Sequence, residues 1–332
     1  MKFSIIIPVY NRRDEVRDLL ESLQAQKGGD YEVVIVEDGS TDPCSDICEE
    51  YKDKGLNVKY YYKENEGRSI ARNYGMEHAT GDYFVFFDSD CVIPPEYFVT
   101  LDMMLSQRPL DCFGGPDAAH DSFTTTQKAI NYTMTSFLTT GGIRGGKVSL
   151  EKFTPRTFNM GFARRVYERV GGFREMFSED IDMSTRIRNA GFSIGLYTEV
   201  PVWHKRRVSW AKFWRQVHVF GQSRITLQQL YPGSLKLVHC LPALAVILFV
   251  VLVVLGFTVS PWFFLPLGIY AVALVILALI ATRSVTVAVK AIPAAVIQLG
   301  GYGSGFIRAF FNAYVLGRGR NLDREIALRK GK

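Results

Sequence analysis

The chain has 332 residues, of which 48% are hydrophobic and 22% charged, with a net charge of +6. The length admits one large domain or two ordinary ones, and a mean hydropathy of +0.05 is high for a purely soluble protein. Five cysteines (Cys44, Cys48, Cys91, Cys112, Cys240) include no Cys-x-x-Cys pair, so neither a disulfide framework nor a zinc site is indicated, and a reducing compartment is expected.

The N-terminus runs from Met1-Lys2-Phe3-Ser4 straight into a strand-like segment containing Pro8, with neither an apolar leader core nor a small-residue cleavage site. The N-terminal portion is therefore expected in the cytoplasm. Phe3–Val9, Glu32–Val36, Val58–Tyr62 and Tyr83–Phe87 are rich in Val, Ile, Tyr and Phe and predict strands. Val16, Leu19, Leu20 and Leu23 recur at helical spacing, and Ser69–Ala79 predicts a second helix ended by Thr80-Gly81. Alternating strands and helices imply an α/β fold with a mostly parallel sheet, whose ligands bind beyond the carboxyl ends of the strands.

The stretch from about Pro116 to Pro155 is rich in Thr, Ser and Gly, including Gly141-Gly142-Ile143-Arg144-Gly145-Gly146. It reads either as a surface excursion or as a lid over an acceptor site. Between Ser209 and Leu230, Trp210, Phe213, Trp214 and Val217 mark one helical face, with Lys212, Arg215 and Arg224 elsewhere. This suits either the lipid interface or an ordinary core. Two charge-free segments follow, Leu241–Val259 and Trp262–Thr282, separated by Ser260-Pro261. Each approaches a bilayer span, so a transmembrane hairpin is predicted at 237–259 and 262–282. Basic residues flank it, Lys205 to Arg224 before and Arg283 and Lys290 after, which places both flanks on the cytoplasmic side. A third span at 285–316 would carry the cationic tail outward against this charge rule. An interfacial or re-entrant helix is expected there, followed by a basic cytoplasmic tail at 317–332. The predicted division is then 1–232 for the α/β domain, amphipathic helix included, and 233–316 for the membrane region. Attraction to anionic lipid accounts for the net charge more simply than nucleic acid does.

Chemistry concentrates at the predicted strand ends. Asp88-Ser89-Asp90 follows the apolar run Tyr83–Phe87, and where a strand breaks into a loop two such carboxylates can converge on one divalent cation. Pro8-Val9-Tyr10-Asn11 and Asp38-Gly39-Ser40 end two strands, and together they suit a base-binding cleft or are plain strand-to-turn punctuation. Asn65-Glu66-Gly67-Arg68-Ser69-Ile70-Ala71-Arg72 opens a helix with two arginines one turn apart, either a seat for phosphates or a solvated helix face. Glu179-Asp180-Ile181-Asp182 supplies a candidate general base, the alternative being carboxylates that stabilise a helix N-terminus. His204 would complete a metal shell, bind a phosphate or serve a structural hydrogen bond.

The ordered segments SIIIPVYNR, VIVEDGSTD, NEGRSIARNYG, FFDSD and SEDIDMSTRIRNAG resemble the family 2 glycosyltransferases with a GT-A (Rossmann-like) fold, over roughly residues 1–205. The resemblance implies inverting transfer of a sugar from a nucleotide-diphosphate donor with Mg²⁺ or Mn²⁺. It places Pro8, Tyr10, Asn11 and Asp38 at the nucleotide with Arg68 and Arg72 nearby, Asp88 and Asp90 at the metal, Asp180 as base and Glu179 beside the acceptor. The Gln-x-x-Arg-Trp segment of processive synthases is missing: the comparable region reads Lys212-Phe213-Trp214-Arg215-Gln216. Transfer of a single sugar to a lipid-linked glycan at the inner (cytoplasmic) membrane is therefore expected, with the donor, acceptor and membrane lipid as partners and no nucleic acid. A polyprenyl-phosphate sugar synthase and a catalytically silent GT-A scaffold or binding subunit are the alternatives.

Overall fold

The computed structural model describes residues 1–118, 123–140, 153–204 and 209–318. Its first elements are β1 (Lys2–Val9), α1 (Arg13–Gln24), β2 (Asp30–Asp38), α2 (Ser45–Asp53), β3 (Val58–Lys63), α3 (Arg68–His78), β4 (Tyr83–Phe86), β5 (Cys91–Val92) and α4 (Tyr97–Gln107). Next come β6 (Cys112–Gly114), β7 (Asp117–Ala118), α5 (Thr125–Thr135), α6 (Phe137–Thr140), β8 (Met160–Ala163), α7 (Arg164–Val170), α8 (Glu179–Asn189), β9 (Ile194–Leu196) and β10 (Val202–His204). Four long helices close the chain: α9 (Trp210–Leu230), α10 (Leu237–Thr258), α11 (Leu265–Thr282) and α12 (Val285–Phe310). Residues 1–120 with 153–205 form one compact unit, and 121–152 with 206–332 form a second.

In the first unit, seven strands run in the order β3-β2-β1-β4-β8-β6-β9, and β5-β10-β7 make a small second sheet. β1, β2, β3 and β4 are mutually parallel, in register from Lys2 opposite Asp30 and Phe3 opposite Tyr83, while β8 runs antiparallel to β4 and β6. Burial on both faces explains why these strands are continuous apolar runs. Ile5, Ile7, Val33, Ile35 and Val85 face a core with α1, α2 and α4, and Ile6, Val34, Val36, Phe84 and Phe86 face the opposite one with α3 and α8. Strand order reverses between β1 and β4, the position at which open α/β sheets leave a crevice for ligands.

Among its described residues, the regular structure of the second unit is helical. Leu237–Thr258, Pro261–Thr282 and Val285–Val315 are each long and apolar enough to cross a membrane. The two predicted hairpin helices are present, joined by a 3₁₀ turn at Pro261–Phe264. Two boundaries differ from the sequence expectation. The helix predicted at 209–230 as part of the first 232 residues belongs to this second unit: Val217, His218 and Gly221 of α9 lie against Gly301, Gly305 and Tyr302 of α12, where missing Cβ atoms let the helices close up. The Thr-rich stretch also contains an ordered helix, α5, started by a reciprocal Thr124–Gln127 capping box. Its Gly141–Gly146 run, and the tail beyond Arg318, lie outside the described residues. The 285–316 segment has no re-entrant break; α12 is continuous and ends in a π-turn at Phe311–Val315.

One buried carboxylate ties β1, β2, β3 and the segment before β4 together in the first unit. Glu32 on β2 accepts from Ser4 Oγ at 2.6 Å, from the Thr80 hydroxyl at 3.0 Å and from the Thr80 amide, and pairs with Lys59 Nζ at 2.7 Å. Burial pushes its pKa up, but the bonds outweigh burial and hold it at about 2. A depressed carboxyl pKa contributes stability above the unfolded value, lost as pH falls through the folded one. Glu32→Gln should therefore lower unfolding stability at pH 7 by about 1–3 kcal/mol. The gap to wild type should close between about pH 4 and pH 2, as followed by thermal unfolding across pH.

Candidate active site

Pro8, Tyr10 and Asn11 sit at the carboxyl end of β1, Asp38 ends β2, and Asp88-Ser89-Asp90 follows β4. These three strands are neighbours, so the parallel register delivers the three segments to one rim of the sheet. Tyr10 is 51% exposed and offers its ring to solvent at that rim. Asn11 adopts a left-handed φ of 52°. Its amide donates to Ser40 Oγ at 2.7 Å and its Oδ1 accepts from Thr41 N at 2.9 Å, pinning the β1 loop to the β2 loop.

Asp38 is nearly buried. Its Oδ1 accepts from Lys63 Nζ at 2.9 Å and Glu66 N at 3.0 Å, and its Oδ2 accepts from Gly67 N at 2.9 Å. The carboxylate thereby shapes the Asn65–Gly67 turn that launches α3. Gly67 has φ 102°, and a Cβ there would meet Glu175 Oε1 at 2.7 Å. A side chain is thus disfavoured both by the backbone and by the neighbour.

From that turn α3 projects both arginines onto the acidic segments. Arg72, 1% exposed, donates from Nη1 to Glu179 Oε1 and from Nη2 to Asp88 Oδ1, each at 2.9 Å. Arg68 donates from Nη2 to Glu179 Oε2 at 2.9 Å. The guanidinium of Arg72 also lies 5.7 Å from the Phe173 ring centroid. The order Asp88–Arg72–Glu179–Arg68 is thus one continuous ionic chain, which brings the Asp-x-Asp loop and the Glu-Asp pair together. Glu179, expected beside the acceptor, is a buried brace between two arginines. Ser178, with left-handed φ 65°, turns the chain so that α8 begins with Glu179 pointing inward.

Asp180, on the next helical position, accepts from Arg156 Nη1 at 3.0 Å and from Ile181 N at 2.8 Å. Burial raises its pKa, but Arg156, by charge and by hydrogen bond, brings it below the ordinary carboxylate value, with Arg68 assisting. It is therefore ionised at neutral pH. Asp182, fully buried, pairs instead with Arg174 at 3.2 Å and Arg186 at 2.9 Å and stays structural.

Asp88 and Asp90 are both partly exposed on their loop, and Asp88 is 36% accessible while held by Arg72. Among the described residues no group of three or more His, Cys, Asp or Glu side chains is placed to hold a metal alone. Two accessible carboxylates on a loop nevertheless fit a hard divalent cation whose remaining ligands are substrate phosphates and water. His204 ends β10, its backbone in register with Cys91, the residue after Asp90. Its side chain lies outside the described residues. Arg156 and Lys63 are absent from the sequence expectation: Arg156 follows a stretch with no periodic signal, and Lys63, at the end of a predicted strand, shows no sign in its residue type of the tertiary partner Asp38.

An open α/β sheet with a carboxylate pair at its switch point defines a class. The family model "Glycosyl transferase family 2" matches residues 4–171, half of the chain. The chain belongs to that family and has a mostly parallel GT-A sheet. It is 40% identical over 110 residues to the uncharacterised glycosyltransferase YibD of Escherichia coli K12, a match covering 33% of this chain and 32% of the relative. It is likewise 40% identical over 100 residues to glycosyltransferase GlyA of Streptococcus pneumoniae, covering 30% of this chain and 14% of GlyA. The chain thus spans a third or less of the length of these relatives. In three dimensions it is similar to a Pyrobaculum calidifontis mannosyltransferase solved with GDP-Man and Mn²⁺, with TM-score 0.55, 19% identity, and coverage of 90% of this chain and 86% of that one.

The ionic chain separates two arginines that look alike in sequence. Arg72→Ala leaves Glu179 and Asp88 short of a buried partner and should destabilise the protein by about 3–5 kcal/mol. Arg68 is 53% exposed and its loss leaves Glu179 still held by Arg72, so the same change should cost clearly less than Arg72→Ala. Equal losses in thermal unfolding of the two variants would contradict the bridge.

Proposed function

We propose that this glycosyltransferase moves one sugar, with inversion, from a nucleotide-diphosphate donor to a hydroxyl on a lipid-linked glycan at the cytoplasmic face of the membrane. The observation that carries the reading is the Arg72 bridge, which joins the candidate donor segment at Asp88 to the candidate base segment at Glu179-Asp180. Pro8, Tyr10 and Asn11 would line the base pocket, with Asp38 acting through the turn it holds. Arg68 would lie at the phosphates.

Asp88 and Asp90 would hold Mg²⁺ or Mn²⁺, a choice supported by the Mn²⁺ in the mannosyltransferase neighbour. That ion, when bound, offsets negative charge on the departing diphosphate. Asp180 stays ionised and accepts the acceptor hydroxyl proton as that oxygen attacks the anomeric carbon opposite the leaving group. The Ile181 amide and Arg156 fix the direction of its carboxylate. One displacement inverts the sugar, and no second nucleophile is required. A role in cell-surface polysaccharide assembly is supported by a relative named as a candidate teichuronic acid biosynthesis glycosyltransferase, TuaG of Bacillus subtilis, 42% identical over 89 residues.

Arg156 also favours a second reading. A guanidinium beside the base would attract an acceptor that itself carries phosphate, as a polyprenyl phosphate does. A sugar-phosphate-linked lipid as product would select that reading over the hydroxyl acceptor.

A panel of nucleotide sugars with Mg²⁺ or Mn²⁺, scored by nucleoside diphosphate release, should give metal-dependent turnover. Asp180→Asn should reduce it about 10²–10⁴-fold while donor binding persists; unchanged turnover would remove Asp180 from the mechanism. Arg156→Ala leaves burial less opposed, so the acid limb of the kcat/KM profile should move to higher pH. A limb that stays in place or moves down would contradict the pairing.

A further inference from the structure

The third apolar helix has a position that its length alone does not convey. An antiparallel span following α11 would carry Gly303, about 27 Å along α12 from Val285, to the level of Leu265 at the far turn of the hairpin. Gly303 is found elsewhere: a Cβ on it would lie 2.6 Å from Pro242 O and 2.6 Å from Val246 Cγ2, in the first turns of α10. Farther along, Phe306 packs with Ala243, and Ala309 and Ala313 join the same cluster as Leu235 and Cys240. At its beginning, Ala288, Ala291 and Ala295 pack with Leu274 and Ala278 in the last turns of α11. The buried contacts of α12 with α10 and α11 centre on their halves next to Lys236 and Arg283, with Tyr270 of α11 joining the cluster from farther along.

Both ends of α12 therefore lie at one end of the hairpin. Lys290 Nζ donates to Thr125 Oγ1 at 2.6 Å and Thr126 Oγ1 at 3.1 Å on α5, which satisfies the one cation in the first half of α12. One flank of α12 carries exposed apolar side chains at Val285, Val289, Ile292 and Val296, and beyond the Gly303 contact Ile307 and Phe311 are exposed as well. From Val200 to Leu322 the sequence contains no Asp or Glu, so Lys212, Arg215, Lys236, Arg283 and Arg308, all exposed, have no carboxylate within this stretch. A helix with a lipid-facing stripe, in a region charged only by cations, fits an acidic headgroup layer.

We propose that α12 lies in the membrane surface across the base of an α10–α11 hairpin, on acidic phospholipid. The chain then crosses the bilayer twice, and the residues after α12 return to the face that carries Lys236 and Arg283. This rests on the membrane reading of α10 and α11, which alkaline extraction tests separately: the full chain should stay in the membrane pellet. With short epitope tags before Met1 and after Lys332, sealed inside-out vesicles are treated with protease. Two crossings put both tags on one side, so both should be cleaved together, and both protected in right-side-out vesicles. One tag cleaved and the other protected means three crossings and overturns the proposal. Release of the protein by alkaline wash overturns the hairpin itself.

Discussion

A guanidinium removed from water needs acceptors, and the two terminal nitrogens of Arg72 find them in two carboxylates from distant parts of the chain. One belongs to the loop after β4 and the other to the start of α8, so the ionic requirement of a single side chain sets the spacing between them. The arginine is held from behind as well. Its helix starts at a turn clasped by Asp38, and Asp38 ends the strand beside β1. Strand register, turn, helix and ion pair are consecutive links, and the candidate chemistry stands on the last of them. An inverting glycosyl transfer needs the acceptor oxygen within bonding distance of the donor's anomeric carbon, with the departing diphosphate held on the opposite side. A rigid charged brace under both acidic segments is a physical means to that end.

Much of this frame was legible before any coordinates. Unbroken apolar runs at Phe3–Val9 and Tyr83–Phe87 identify strands buried on two faces, and Asp88-Ser89-Asp90 stands at the end of one of them. What could not be read is which carboxylate faces which partner. Glu179 and Asp180 are adjacent on a helix about 100° apart, and the left-handed Ser178 decides which of them turns inward. Nothing in the residue type of a serine announces that conformation. Asp38 similarly looks like a free carboxylate at a strand end, and only the fold brings the Glu66 and Gly67 amides to it. Arg156 follows a Gly-rich stretch without periodicity, so its approach to Asp180 is purely tertiary.

The second unit teaches the same lesson about contiguity. Tryptophans and arginines at helical spacing suggest a surface helix in α9, but the glycines that receive it are some eighty residues away, in α12. Hydropathy finds α12 as a candidate span because it counts residues, while the contacts of Gly303 and Phe306 depend on direction. On the proposed membrane reading, a transferase tied to these helices would meet a lipid-linked acceptor by a two-dimensional search.

The central claim is that Asp88, braced by Arg72, and Asp90 form half of a cation site that a diphosphate completes. Calorimetric titration of Mn²⁺ into the full-length protein, with and without a nucleoside diphosphate, tests it most directly. The account predicts weak binding of either alone, strong mutual enhancement together, and loss of that enhancement in Asp90→Asn. Enhancement that survives the substitution, or its absence in the wild-type protein, would contradict it.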